Sequence, residues 1–184
     1  MSLFRNISLS SIAALMTLSA GVAFANPDVG GAPMYENKNI VENAVNSKDH
    51  TTLVAAVKAA GLVDTLMTPG PFTVFAPVNA AFEKLPAGTV DTLLKPENKA
   101  KLTAVLTYHV VAGKHSAEEL MKDAKEHGGK TTLTTVQGEK LTIVEKGRKL
   151  EVEDANGGIG MITIADVNQS NGVIHVIDKV LLPK

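Results

Sequence analysis

Residues 172–178 read Gly-Val-Ile-His-Val-Ile-Asp, an apolar run that is interrupted by one imidazole. Side chains alternate between the two faces of a β-strand, so a strand here places His175 on the same face as Val173 and Ile177. A buried neutral histidine must hydrogen-bond both ring nitrogens or lose about 1–3 kcal/mol for each unsatisfied group. His175 is therefore expected to point inward, where it either fixes nearby backbone or contacts a ligand or a metal ion.

Upstream of this strand the chain divides into a helical part and a sheet part. Apolar residues recur at helical spacing in the first part, and β-branched residues alternate with polar ones after Lys130. Asp49 and Asn79 are each predicted to cap a helix, and so is Ser116, because Glu119 follows it three residues later. The predicted helices cover residues 40–45, 53–60, 62–67, 79–85, 89–94, 97–107 and 117–126, and the predicted strands cover 72–75, 131–136, 140–145, 148–153, 160–165 and 173–181. Helices first and strands afterwards predict an α+β domain.

The first 25 residues have the pattern of a secretory signal peptide. Arg5 precedes an apolar and small-residue run, and Ala23-Phe24-Ala25 fits the small-x-small cleavage rule. Residues 1–25 are therefore predicted to be removed, and the serines that dilute the run disfavour the alternative of a retained membrane anchor.

Residues 26–37 carry two prolines and a Gly-Gly pair. This composition predicts a flexible or loosely docked lead segment, with the folded domain covering residues 38–184. Without Arg5 the chain has 17 of its 18 Lys and Arg residues against 19 Asp and Glu, so the net charge is 17 − 19 = −2. That balance does not favour a nucleic-acid partner, and the absence of cysteine from the sequence excludes thiol catalysis and disulfides.

Five histidines raise the question of a metal site, but no two of them have a metal-binding spacing in the sequence. His50, His115 and His127 fall in or beside predicted helix caps and are expected to be solvated. His109 lies in an apolar run, as His175 does, and is also expected to point inward.

The sequence contains no nucleophile or phosphate-binding motif. Ser47, Ser116 and Ser170 lie outside any Gly-x-Ser-x-Gly pattern, and no Gly-x-x-x-x-Gly-Lys loop is present. Glu151 and Glu153 share one strand face, which is more typical of a solvated sheet than of an acid/base pair. The sequence therefore predicts no enzyme, no cofactor and no metal.

Three separated stretches resemble the fasciclin domain family: residues 72–85 read FTVFAPVNAAFEKL, residues 106–114 read LTYHVVAGK, and residues 171–183 read NGVIHVIDKVLLP. Family members carry a Thr-Val-Phe-Ala-Pro-x-Asn motif, a Tyr-His pair and an Asn-Gly-Val-x-His-Val-Ile-Asp motif in this order. The resemblance covers about residues 38–184. It implies an α+β, fasciclin-like fold, in which a wedge of two β-sheets carries a layer of short helices.

The resemblance also implies roles for particular residues. In animal matrix members, a Tyr-His region and an Asp-Ile pair are implicated in integrin binding, and they correspond here to Tyr108-His109 and Asp166-Val167. The second pair departs from the family, because valine replaces isoleucine and the common preceding proline is missing. The motif residues expected to be structural are Asn79, His109, Asn171, Gly172 and His175.

The function expected from these observations is a noncatalytic extracytoplasmic module for cell adhesion or protein interaction. Its partner is expected to be a protein or a cell surface, with no stable membrane insertion after signal cleavage and a secreted or periplasmic location. The alternative is a carrier or sensor of a small apolar ligand such as a pigment or lipid, because a wedge can accept a guest between helix and sheet. In a eukaryotic secretory pathway, Asn168 would also be a glycosylation site.

Overall fold

The computed structural model describes residues 26–184, so the signal-peptide prediction for residues 1–25 lies outside the described residues. The strands are β1 (Asp28–Val29), β2 (Ala32–Pro33), β3 (Phe72–Pro77), β4 (Val110–Ala112), β5 (Lys130–Thr134), β6 (Lys140–Lys146), β7 (Lys149–Glu153), β8 (Ile159–Gln169) and β9 (Gly172–Ile177). The helices are α1 (Ile40–Ala44), α2 (Thr51–Ala60), α3 (Val63–Met67), α4 (Asn79–Glu83), α5 (Thr89–Leu93), α6 (Lys99–Tyr108) and α7 (Ala117–Glu126), with 3-10 turns at Lys48–His50 and Pro96–Asn98.

Strand β9 lies near the middle of a seven-stranded sheet with the order β4-β3-β9-β8-β7-β6-β5. It pairs in parallel with β3 over all six of its residues and antiparallel with β8. Every residue of β9 is buried, which explains why its sequence is a continuous apolar run and not an alternating one. The sequence predicted this strand, but it ends at Ile177 and not at residue 181.

Strand β8 joins two groups of strands. Its first three residues pair with β7, and the remainder pairs with β9 through two register shifts, between Ile162 and Ile164 and between Ile164 and Val167. Such shifts insert extra residues into one strand and bend it. One apolar core lies between the helices and one face of β3 and β9, and a second core lies between α7 and the strands on the other side. The predicted α+β class is confirmed, with a layer of short helices on the sheet.

These two register shifts are β-bulges, and they explain why the predicted end of β8 was wrong. Residues 160–165 were predicted as the strand, whereas β8 continues to Gln169 and includes Asp166 and Val167. Each inserted residue breaks the alternation of side chains between faces, so the sequence pattern loses its period of two at that point. Asp166 has a φ of 56°, a left-handed conformation that asparagine and aspartate tolerate better than most residues.

The lead segment 26–37 is docked on the domain, contrary to the expectation of a loose segment. Strands β1 and β2 form a small hairpin whose Gly30-Gly31 turn has positive φ at both residues, as a type I′ turn requires. Val29 and Met34 are only 3% and 2% exposed. The Gly-Gly pair that suggested flexibility therefore builds a turn that places two apolar side chains in the core.

Asn79 has a different role from the predicted one. It is the first residue of α4 and does not cap that helix. Its Oδ1 accepts a hydrogen bond from the Thr52 N–H at 3.0 Å, and its Nδ2 donates to the Lys48 carbonyl at 2.8 Å. Asn79 thus caps the start of α2, the place predicted for Asp49, from a separate part of the chain.

Candidate interaction site

His175 is fully buried, and both of its ring nitrogens are hydrogen-bonded. Nε2–H donates to the carbonyl oxygen of His115 at 2.9 Å, and Nδ1 accepts from the backbone N–H of Asp166 at 3.3 Å. These partners place the proton of the neutral ring on Nε2. Burial lowers the pKa of His175. The expected inward position is confirmed, and the imidazole joins β9 to the bulge of β8 and to the segment before α7.

Asp166 extends this network to the surface. Its backbone N–H bonds His175, and its side-chain Oδ1 accepts from the N–H of Ala117 at 2.7 Å, at the first residue of α7. Ser116 accepts from the Glu119 N–H at 3.2 Å, as predicted for the cap of this helix. The half-buried Asp166 carboxylate therefore contributes to holding the start of α7 beside β8.

Tyr108 and His109 lie inside the domain. Tyr108 is fully buried, and its hydroxyl donates to the Lys140 carbonyl at 3.0 Å and accepts from the Ala155 N–H at 2.9 Å. His109 donates from Nδ1–H to the Val105 carbonyl at 2.7 Å and accepts at Nε2 from the Leu181 N–H at 2.9 Å. Burial lowers the pKa of His109 to about 4, so the ring is neutral at pH 7.

Three of the four residues expected to contact a partner are therefore in the core. Tyr108, His109 and Val167 are at most 2% exposed, which is inconsistent with a direct contact in this conformation. Only Asp166 reaches the surface, and its interaction role stays a prediction. The sequence contained part of this answer, because Tyr108 and His109 stand in an apolar run, whereas the burial of Val167 depends on the bulges of β8.

Asn171 and Gly172 have the expected structural setting. The Asn171 Oδ1 accepts from the Ile40 N–H at 3.0 Å, and its Nδ2 donates to the carbonyls of Leu66 and Thr68 at 2.7 and 3.0 Å. This amide joins the start of α1 to the end of α3. A Cβ at Gly172 would overlap the carbonyl group of Phe72, so the two strands can approach this closely only at glycine.

The other three histidines do not all behave as expected. His127 is exposed and His115 partly exposed, but His50 is buried, so the prediction of a solvated His50 was wrong. The reason is the lead segment, since Val29 and Met34 line a small cavity together with His50. Within residues 26–184, no three His, Asp or Glu side chains are grouped to hold a metal ion.

A groove lies beside Asp166, between α7 and the strands β7 and β8. Its apolar lining includes Ala117 and Met121 of α7 together with Ile162 and Ala165 of β8, and Arg148 and Lys149 stand at the β7 side. Sequence reasoning missed these two cations, although the Lys146-Gly147-Arg148-Lys149 turn between predicted strands was a visible signal.

A second concave feature is an apolar pocket between the helices and the sheet. Helices α1, α2, α3 and α6 surround it, and strands β3 and β4 form its floor. Val41, Val54 and Val63 are only partly buried around it, and Lys58 is its exposed cation. The pocket occupies the position that the sequence suggested for an apolar guest.

Replacing His175 by alanine should lower the free energy of unfolding by about 1–3 kcal/mol, because the substitution removes packing and leaves the His115 carbonyl and the Asp166 N–H without their partner. Urea unfolding followed by circular dichroism measures the change. The exposed His127→Ala is the matched control; it removes one hydrogen bond to the Asp123 carbonyl at the exposed end of α7 and should lower the free energy of unfolding by less than about 1 kcal/mol. An equal effect of the two substitutions would contradict the structural role.

His109 should make stability depend on pH. Its folded pKa of about 4 lies below the ordinary value of 6.5, so the unfolded chain binds the proton first as pH falls. Its contribution is complete above about pH 6.5 and is lost progressively down to about pH 4, which amounts to about 2 kcal/mol between pH 7 and pH 5. Urea unfolding of His109→Gln should show a smaller loss over that interval than the unsubstituted protein does. An unchanged pH dependence in His109→Gln would refute the assignment.

Comparison with known proteins places this fold in a family. The sequence model of the fasciclin domain matches residues 48–183. Protein sll1483 of Synechocystis sp. is 51% identical over 144 residues, which are 78% of this chain and 73% of that protein. The cell surface glycolipoprotein MPB83 of Mycobacterium bovis is 37% identical over 145 residues, which are 76% of this chain and 58% of the relative.

A solved structure agrees with the fold. The FAS1 domain pair of the insect cell adhesion molecule fasciclin I superposes with a TM-score of 0.69 at 22% identity, over 79% of this chain and 51% of that one. This confirms the fasciclin-like fold expected from the three sequence motifs. The family model covers more than half of the chain, and one relative is identical at 51% of the aligned residues. The chain therefore belongs to the fasciclin domain family.

Proposed function

We propose that this chain is a noncatalytic module that binds a protein partner at a cell surface or in the cell envelope. The observation that supports it best is the groove beside Asp166, where this half-buried residue, the one of the four expected interaction residues that is not in the core, borders an apolar and basic surface. The names of two similar proteins agree with this role, since one is a cell surface glycolipoprotein and the other a cell adhesion molecule.

The proposed location is extracytoplasmic, either secreted or periplasmic. The signal-peptide pattern of residues 1–25 supports it. Within residues 26–184, no helix has both the length and the apolar character needed to cross a bilayer.

Asp166→Asn tests the interaction role with little disturbance of the fold. Asparagine tolerates the left-handed backbone, and its Oδ1 can still accept from Ala117, so the change removes mainly the charge. Binding of the labelled protein to envelopes of the producing organism, measured by sedimentation, should fall about threefold or more.

Two controls accompany this substitution. Asp91→Asn removes a carboxylate from the exposed surface of α5, and Tyr108→Phe alters a buried hydroxyl. Both should bind as the unsubstituted protein does once circular dichroism shows that they are folded. Equal binding by Asp166→Asn would remove Asp166 from the interaction, and no envelope binding by any form would refute the proposed function.

The apolar pocket supports a second candidate function, the carriage of a small apolar ligand. Its lining is apolar apart from Lys58, Thr65, Thr107 and His109, and it opens between helices that contact the sheet. Pockets that hold small ligands have this composition, with a few polar groups that fix orientation. The single cation at the rim would suit a ligand with an apolar body and an anionic end.

Val54→Phe should obstruct this pocket, because Val54 is a partly buried lining residue on α2. The probe is the apolar anionic dye 1-anilinonaphthalene-8-sulfonate, whose fluorescence rises in an apolar site. Saturable dye binding should weaken about tenfold in Val54→Phe and remain unchanged in Ala59→Phe, which adds the same ring to an exposed position of α2. Equal affinities in the two variants would show that the dye binds elsewhere and would count against the carrier function.

A further inference from the structure

Strands β7 and β8 separate after pairing over only three residues. Their ladder runs from Glu153–Ile159 to Glu151–Met161. Beyond that point β7 still has two residues toward its start, and β8 continues for eight residues to Gln169. Within the described range 26–184, no strand pairs with this part of β8 on the side away from β9. Strand β8 therefore lies inside the sheet order, but its residues 162–169 pair with β9 only.

Part of this edge is covered by other elements. Asp166 bonds the start of α7, Val167 is buried, and the Ser170 N–H donates to the carbonyl of Lys38. Residues 162–165 are different, because Thr163 and Ala165 are exposed and residues 161–163 and 165 line the groove. The accessible edge is thus a short extended segment that lines a groove together with Met121 of α7.

The two charged side chains that line this groove are both cations, whereas the neighbouring Asp166 carboxylate is outside the lining and accepts a hydrogen bond from the Ala117 N–H. Arg148 and Lys149 line it and are exposed, and neither forms an ion pair with any residue between 26 and 184. Lys146 lies on the same hairpin and is also exposed. An occupant with acidic side chains would meet uncompensated cations, whereas a second copy of this chain paired through the same edge would bring its own cations against them.

We propose that the groove binds an extended, acidic segment of a partner protein as an added strand along residues 162–165. Backbone hydrogen bonds to β8 supply the alignment, and carboxylates on the added strand pair with Arg148 and Lys149. Apolar side chains on the alternate positions face the groove lining from α7 and β8. This inference rests on the proposed role as a protein-binding module, and it names the surface and the chemistry of the partner.

The test uses a defined probe and the 15N-labelled protein. The probe is a short peptide that alternates valine with glutamate, and NMR chemical shifts report which amides it affects. Saturable shifts are expected at residues 162–165 and 148–150 below about 1 mM peptide. The double substitution Arg148→Ala with Lys149→Ala should weaken binding about tenfold, whereas Lys99→Ala with Lys101→Ala, two exposed cations of α6, should leave it unchanged.

Two further peptides separate strand addition from simple charge attraction. N-methyl groups on the central residues of the same peptide remove its N–H donors and should abolish binding, and lysine in place of glutamate should do the same through repulsion. The proposal is overturned if no saturable shift occurs, if the shifts lie elsewhere, or if either altered peptide binds as well as the original. Peptide binding without envelope binding would refute the proposed function and leave this site in place, and the reverse result would refute only this site.

Discussion

The two hydrogen bonds of the His175 imidazole connect β9 to the bulge of β8 and to the segment before α7. His175 lies in the middle of a strand that is buried on both faces and paired on both edges, so neither ring nitrogen can be hydrated. One nitrogen therefore holds the carbonyl of His115 and the other the N–H of Asp166. The Phe75 ring packs beside the imidazole, with 5.6 Å between the two ring centroids. Together with the Asp166–Ala117 hydrogen bond and the packing of Leu120, these contacts hold α7 beside the sheet.

The bulged course of β8 shapes the groove beside Asp166. It turns Asp166 toward the start of α7 and separates β8 from β7, which creates the groove with Arg148 and Lys149. The apolar pocket lies elsewhere, between the helices and strands β3 and β4, and shares no lining residue with the groove. Substitutions can therefore alter the groove without changing the lining of the pocket, and the reverse.

Local patterns predicted the features that depend on local structure. The inward positions of His109 and His175 followed from apolar runs, and the Ser116 cap followed from its spacing to Glu119. The errors have long-range causes. Asn79 caps a helix that begins 28 residues earlier, and His50 is buried by the β1–β2 hairpin, so neither fact is contained in the neighbouring sequence. The buried state of Val167 depends on bulges, which erase the alternation that strand prediction uses.

The parallel pairing of β3 with β9 also affects the order in which the strands of the sheet can pair. Phe72 pairs with Gly172, so the two partners are 172 − 72 = 100 residues apart in the chain, and every other strand of this sheet precedes β9. Contacts of such sequence separation form slowly, because a long loop must close before they contribute any free energy. During synthesis the helices and the β5–β7 meander can form early, whereas β3 and β8 gain the strand that lies between them only when residues 172–177 are available. Strand β9, whose residues are all buried, is thus the last strand of the sheet to be synthesised.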